Sequence, residues 1–243
     1  MAELTGKVVA ITGASSGIGA ATAVACARAG AAVALAARRK ERVDELAERI
    51  GNAVAFETDV TDEEQCRAFV DGAAAQLGRL DVLVNNAGVM HLGPIEGAPT
   101  DEWRRMMNVN VLGLLYCTQA ALPHMRRQGS GHVVNVSSVG GRVVGLWSGV
   151  YSATKFAVGA ISEALRRETM DAGIRVTVIE PGRVETEPRD HVRPEVLEQL
   201  GSAFANVTPL TAEEIADTIV WAVTQPPNVS VNEVLVRPLV SPL

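Results

Sequence analysis

The stretch "KVVAITGASSGIG", residues 7–19, runs a β-branched apolar segment into a glycine-rich turn and then into an alanine-rich helical pattern. Residues 7–12 show no alternation of polar and apolar positions, the mark of a strand covered on both faces. Gly13, Gly17 and Gly19 let a backbone turn sharply and approach a ligand. The helix that follows offers unpaired N–H groups and a partial positive charge at its start, which suits a phosphate. As bare residues the glycines also read as a tight connection. Their place between the first strand and first helix of an alternating chain favours the ligand reading.

The alternation continues to the end. Strand-like runs occupy 7–12, 32–37, 53–58, 80–85, 131–137, 174–180 and 232–236, and helical patterns lie near 17–29, 39–50, 62–76, 100–127, 151–172 and 211–225. Apolar strands separated by helices predict a seven-stranded, mostly parallel α/β sheet with helices on both faces, doubly wound in the Rossmann manner. No linker or repeat interrupts the pattern, so one domain is expected over 1–243. The long irregular stretch begins near 182, and its part from 187 to 207 reads as a lid over a binding site.

The remaining composition mainly excludes. Twenty-two basic against 28 acidic residues give a net charge of −6, which argues against nucleic acid or an anionic membrane as partner. The longest apolar run, residues 29–37, falls far short of the ~20 residues of a membrane span. "MAELTGK" enters the first strand without a signal-peptide pattern, so the chain is expected to be cytoplasmic. Cys26, Cys66 and Cys117 are scattered and read as small core residues. The four histidines (His91, His124, His132 and His191) have no metal-ligand spacing, and no metal is expected. Ser138 has no GxSxG elbow around it, which disfavours a hydrolase.

The glycine spacing is GxxxGxG. Together with "NNAG" (85–88), "NVNVLG" (108–113), a serine thirteen residues before "YSATK" (151–155), and "PG" (181–182), it resembles the short-chain dehydrogenase/reductase family over essentially the whole chain. "GVMHLGPIE" and "VNEVLVRP" are most similar to a subgroup that includes clavulanate dehydrogenase and NADP-dependent 3-hydroxy acid dehydrogenases. The resemblance implies a nicotinamide dinucleotide held by Gly13, Ser15, Ser16, Gly17, Ile18 and Gly19 of the turn. It adds Asp59 and Val60 near the adenine, Asn85, Ala87 and Gly88 in a segment that stiffens the sheet and backs the adenine-side ribose, and Pro181, Gly182, Val184 and Thr186 around the nicotinamide. Bare residues leave Asp59 equally readable as a turn acid before a helix, and "NNAG" as a turn.

At the end of the second strand, where a carboxylate would hold the 2′-hydroxyl of NAD, the chain has Ala37, Arg38 and Arg39. A guanidinium there meets a 2′-phosphate with roughly 1.5–3 kcal/mol, so NADP(H) is expected. The other reading of both arginines is the start of a solvated helix.

Tyr151 and Lys155 are spaced i, i+4 and share a helix face. Ketone reduction needs an acid for the nascent alkoxide, and alcohol oxidation needs the matching base. A phenol titrates near ~10; a positive charge at ~6 Å, with an effective dielectric of ~20, is worth about 2.8 kcal/mol. Lys155 is therefore expected to pull Tyr151 towards neutrality, and by resemblance to hold the nicotinamide ribose as well. Ser138 is expected to hold the substrate oxygen. Asn110 matches a family residue whose backbone carbonyl carries a water in a proton relay, though by itself it is one polar residue in a helix.

Met90, Val139, Leu146 and Trp147 are candidates to line an apolar substrate pocket, while each also reads as core. His91 is expected at the surface or behind the site. The expected partner is a small carbonyl or alcohol, with 3-oxoacyl-thioester reduction, imine reduction and an inactive dinucleotide sensor as alternatives. By resemblance, helices 100–127 and 151–172 pack against second copies, giving a dimer or tetramer.

Overall fold

A computed structural model describes residues 3–185, 196 and 207–241. Seven strands form one sheet in the order β3-β2-β1-β4-β5-β6-β7: β1 Val8–Thr12, β2 Ala32–Ala37, β3 Ala53–Glu57, β4 Val82–Asn85, β5 Gly131–Val136, β6 Ile174–Pro181 and β7 Glu233–Val236. Every pairing is parallel, so the mostly parallel sheet expected is parallel throughout. Its order reverses between β1 and β4. In such sheets the ligand crevice lies at the carboxyl ends of the strands at that reversal.

Side chains alternate across the sheet as strand geometry demands. From β1, Val9 and Ile11 enter a core with Ala23 and Cys26 of α1 (Gly17–Arg28), Val43 of α2 (Lys40–Ile50), and Ile215 and Ile219 of the last helix (Ala212–Val223). Ala10 between them faces the opposite core, with Phe69 of α3 (Glu63–Leu77) and Cys117 and Ala121. All three cysteines are buried free thiols. Among the described residues no helix is long and apolar enough to cross a membrane.

The helix expected over 100–127 is interrupted. α4 (Thr100–Met107) passes into a π-helical turn, Asn108–Leu112, before α5 (Gly113–Gln128). A π turn adds a residue to the helical ladder and occurs frequently at functional sites. Here it carries Asn110. Gly113 follows it at a point where a Cβ would stand 2.8 Å from the Val60 carbonyl oxygen. α6 runs Gly149–Thr169, two residues earlier than the sequence pattern indicated, which places Tyr151 in its first turn. The helix Ala212–Val223, hereafter α7, opens with a capping box between Thr211 and Glu214.

Candidate active site

The glycine turn is locked from two sides. Gly13 has φ 66° and Gly17 φ 53°, the left-handed region that glycine adopts without steric cost. At Gly19 a Cβ would lie 2.4 Å from the Gly13 carbonyl oxygen and 2.5 Å from Asn86 Nδ2, so only glycine lets α1 start this close to β1. Asn86 Nδ2 donates to the Thr12 carbonyl at 3.0 Å, and the N–H groups of Asn86 and Ala87 donate to Thr12 Oγ1 at 3.0 and 3.1 Å. Thr12 and Asn86 thus brace the turn against the end of β4. Both belonged to the quoted motifs, yet their partnership across 74 residues of sequence has no local signature.

Ser16 is the N-cap of α1 and its side chain makes no capping bond; the first-turn N–H groups are left for an acceptor from outside. Arg39 closes over the same place. Its Nε and Nη2 donate to Ser15 Oγ at 3.2 and 2.9 Å, and Nη2 also donates to Ser16 Oγ at 2.9 Å. Arg38 is exposed beside it. Ile18 is partly buried against the core below. A bare helix end, hydroxyls and a guanidinium together fit a polyanion at this edge.

Asp59 and Asn85 each find partners within the chain. Asp59 spends one carboxylate oxygen locally, its Oδ1 accepting from Thr61 N–H at 3.0 Å and Thr61 Oγ1 at 2.9 Å, while Asp62 caps α3. Val60 beside it is buried. Asn85 lies on the sheet face that carries Leu83, because side chains two apart point the same way. It is 4% exposed, and its Nδ2 donates to Thr118 Oγ1 and Asn135 Oδ1, both at 2.9 Å. Its side chain joins β4, β5 and α5 in the interior and does not reach the cleft. Ala87 and Gly88 do stand at the strand end: a Cβ on Gly88 would lie 3.8 Å from Lys155 Nζ.

Ser138, Tyr151 and Lys155 come together at the end of β5. Ser138 N-caps a 3-10 turn, Val139–Gly141, with its Oγ accepting from Gly140 N–H at 3.0 Å, and its hydroxyl lies beside Tyr151. Gly140 carries no side chain at a point where a Cβ would be 3.2 Å from the Tyr151 ring. Ser137 is excluded from this role because its Oγ donates to the Lys155 carbonyl at 3.2 Å. Lys155 Nζ lies 5.9 Å from the centre of the Tyr151 ring and donates to the Val136 carbonyl at 2.9 Å. An ammonium has three N–H donors, which leaves capacity for a ligand hydroxyl.

Asn110 joins this group through its side chain. Nδ2 donates to the Val89 carbonyl at 2.9 Å and to Thr154 Oγ1 at 3.1 Å, and Oδ1 accepts from Val89 N–H at 2.8 Å. Asn110 thereby fixes the chain just after Gly88 to the catalytic helix. Thr154, which also donates to the Tyr151 carbonyl at 2.7 Å, was not singled out from sequence.

Burial is the largest influence on Tyr151 and raises its pKa, while the neighbouring Ser138 hydroxyl lowers it. In the chain by itself burial sets the direction, against the pull towards neutrality expected from Lys155. Burial also penalises the ammonium, whose pKa falls to about 8. A desolvated cation of reduced basicity at that distance does not outweigh the loss of water around the phenol. Tyr151 is held in its protonated form near neutral pH, as a proton donor requires.

Pro181 closes β6 opposite Val236, and Gly182 N–H donates to the Val236 carbonyl at 2.7 Å. A Cβ at Gly182 would meet Pro238 at 3.0 Å. Val184 forms a bridge with Leu210. Thr186 and the 187–207 lid, Val196 and Val207 apart, lie outside the described residues. Met90 and Val139 are partly buried, Leu146 is exposed, and Trp147 holds φ 59°. His91 is partly buried, and its N–H donates to Met106 Sδ at 3.4 Å.

The family model for short chain dehydrogenases matches residues 7–196. The chain belongs to that family. It is 42% identical over 243 residues to an uncharacterised oxidoreductase of Staphylococcus saprophyticus, with 98% of each chain covered. Among solved structures it is similar to an alcohol dehydrogenase from Thermococcus sibiricus complexed with 5-hydroxy-NADP (29% identity, TM-score 0.85, 96% of this chain and 97% of that one). It is also similar to a 3-ketoacyl-(acyl-carrier-protein) reductase from Brucella melitensis complexed with NADH (30% identity, TM-score 0.88, 97% and 98%). This dehydrogenase is therefore an oxidoreductase with a nicotinamide-dinucleotide fold.

Proposed function

We propose that this dehydrogenase is an NADP(H)-dependent carbonyl reductase that interconverts a ketone and a secondary alcohol. The observation that carries the reading is the meeting of Ser138, Tyr151 and Lys155 at the end of β5, with the Lys155 ammonium 5.9 Å from the centre of the Tyr151 ring. When bound, the nicotinamide supplies or accepts the hydride. Tyr151 donates its proton to the substrate oxygen in reduction and recovers it in oxidation, Ser138 orients that oxygen, and Lys155 stabilises charge at the phenol and holds the ribose. Asn110 keeps the strand end and α6 in register. An assay of NADPH oxidation against a panel of ketones tests the reading; absence of turnover with every member would replace it with the dinucleotide-sensor alternative. The likeness to a ketoacyl reductase supports a second reading, 3-oxoacyl-thioester reduction, and thioesters belong in the panel.

For cofactor preference, Arg39 over Ser15 and Ser16 favours a 2′-phosphate. Arg39→Ala is expected to lower kcat/KM with NADPH about tenfold or more while changing that with NADH little, in keeping with a charge-assisted contact of roughly 1.5–3 kcal/mol. A parent enzyme that prefers NADH would remove the NADP assignment.

The depressed pKa of Lys155 sets a pH expectation. Below about 8 the amine is charged, and above it the charge is lost. The rate of ketone reduction at saturating NADPH is therefore expected to fall as pH rises through about 8, and a profile flat to pH 10 would contradict it.

We also read the enzyme as a homo-oligomer. Met107, Leu112 and Leu115 along α4 and α5, with Phe156 on α6, present exposed apolar side chains of the kind buried between copies. Sedimentation velocity is expected to give a dimer or tetramer; a 25.6 kDa particle alone would refute this.

A further inference from the structure

Two loops flank Tyr151. Residues 88–98 leave β4 beside Lys155 and reach the start of α6, where Ile95 Cδ1 stands 3.9 Å from the Cβ position of Gly149. Residues 139–148 leave Ser138 and return into α6. The loops are tied together by Gly93 N–H donating to the Trp147 carbonyl at 2.9 Å. Trp147 sits in the left-handed region at φ 59°, a costly conformation for a bulky residue that clusters at ligand-binding sites.

The side chains these loops turn outward are aliphatic. Ile95 is 69% exposed, Val144 63% and Leu146 71%. Single exposed aliphatics are ordinary, whereas several on two joined loops beside a proton donor mark a binding surface. Formal charge is scarce there. Residues 88–98 contain one, Glu96, which repels an anion, and residues 139–148 contain one, Arg142. Arg142 is already committed: its Nε donates to both carboxylate oxygens of buried Glu180 at 2.8 Å, and Nη2 pairs with Glu233. Among the described residues of these loops, therefore, no lysine or arginine is left for a substrate carboxylate.

We infer that the substrate is an uncharged, apolar ketone or the corresponding secondary alcohol, with its hydrocarbon part laid against Ile95, Val144, Leu146 and Trp147. This inference rests on the carbonyl-reductase reading of Tyr151 and departs from the hydroxy-acid chemistry of the subgroup whose motifs the sequence resembles. Burying an unpaired carboxylate against such a rim is strongly unfavourable.

The test uses the full chain with NADPH. Methyl ketones from butanone to nonan-2-one are compared, as are 3-oxobutanoate and its ethyl ester. kcat/KM is expected to rise about fourfold per methylene over the first members, the value of a buried CH₂, and the ester to exceed the acid by about tenfold or more. Leu146→Asp and Ile95→Asp are expected to flatten the chain-length dependence while leaving the sedimentation coefficient unchanged. A preference for the acid, or no dependence on chain length, overturns the inference and leaves the reductase reading standing. Variants that change sedimentation but not the ketone series overturn it as well, by showing the rim to be a protein interface. Failure to reduce any acid, ester or ketone with either cofactor overturns the reductase reading itself, and the inference with it.

Discussion

Tyr151→Phe is expected to lower kcat for ketone reduction about 10³-fold, the middle of the range for loss of a positioned acid, while folding and cofactor affinity change little. The change removes one oxygen beside the Ser138 hydroxyl, and leaves the ring that packs over Gly140. It does not touch Lys155, whose ammonium is anchored on the Val136 carbonyl, so cofactor affinity is expected to survive. Steady-state kinetics with NADPH fluorescence titration and a thermal melt separate these effects. A variant that keeps parental turnover on every accepted substrate would show that the proton comes from elsewhere. A variant that loses cofactor affinity in proportion to kcat would point to a collapsed site instead.

The second large effect lies away from the chemistry, in the core of the sheet. His132 on β5 is 1% exposed. Its Nε2 lies 2.7 Å from Thr177 Oγ1, which donates its own hydrogen to the Val231 carbonyl at 2.6 Å. Thr177 must therefore accept, Nε2 must carry the proton, and Nδ1 is left as a buried acceptor without a partner. Protonating Nδ1 would place a charge in the core near Arg175; burial first, and that guanidinium second, hold the folded pKa down to about 3.

An unfolded histidine titrates near ~6.5. Between these values the unfolded chain binds a proton that the folded chain refuses, so this contribution is complete above about 6.5 and is lost progressively as pH falls towards 3. By pH 4.5 the loss is about 2–3 kcal/mol, from ~1.4 kcal/mol per pH unit. His132→Gln does not titrate, and its amide can still donate to Thr177. Denaturant unfolding at pH 7.5 and 4.5 is expected to show the parent losing about 2–3 kcal/mol more than this variant. Carboxylates that titrate over the same range contribute equally to both proteins. Parallel losses would mean that His132 accepts its proton in the folded state.

Much of the architecture was legible in the residues themselves. Seven apolar runs separated by helical patterns specify a parallel sheet, since parallel strands need crossovers and burial on both faces. The i, i+4 spacing of Tyr151 and Lys155 puts them on one helix face without any tertiary information. Ser138 is named only by the family's motif spacing, and folding brings it to Tyr151.

Other features were decided only by contacts between distant segments. The motif places Asn85 in a segment that stiffens the sheet and backs the ribose, but which partners its side chain takes was decided by strand alternation and by Thr118 and Asn135 arriving from α5 and β5. Arg39, and not Arg38, meets the glycine turn because of where the chain leaves β2. The protonated state of Tyr151 follows from how much protein surrounds it, and the commitment of Arg142 follows from Glu180 and Glu233 arriving from two other strands. Periodicity and spacing record which residues share a strand or a helix. Desolvation, charge pairing and hydrogen-bond partnership depend on distances across the fold, which exist only once the chain has closed.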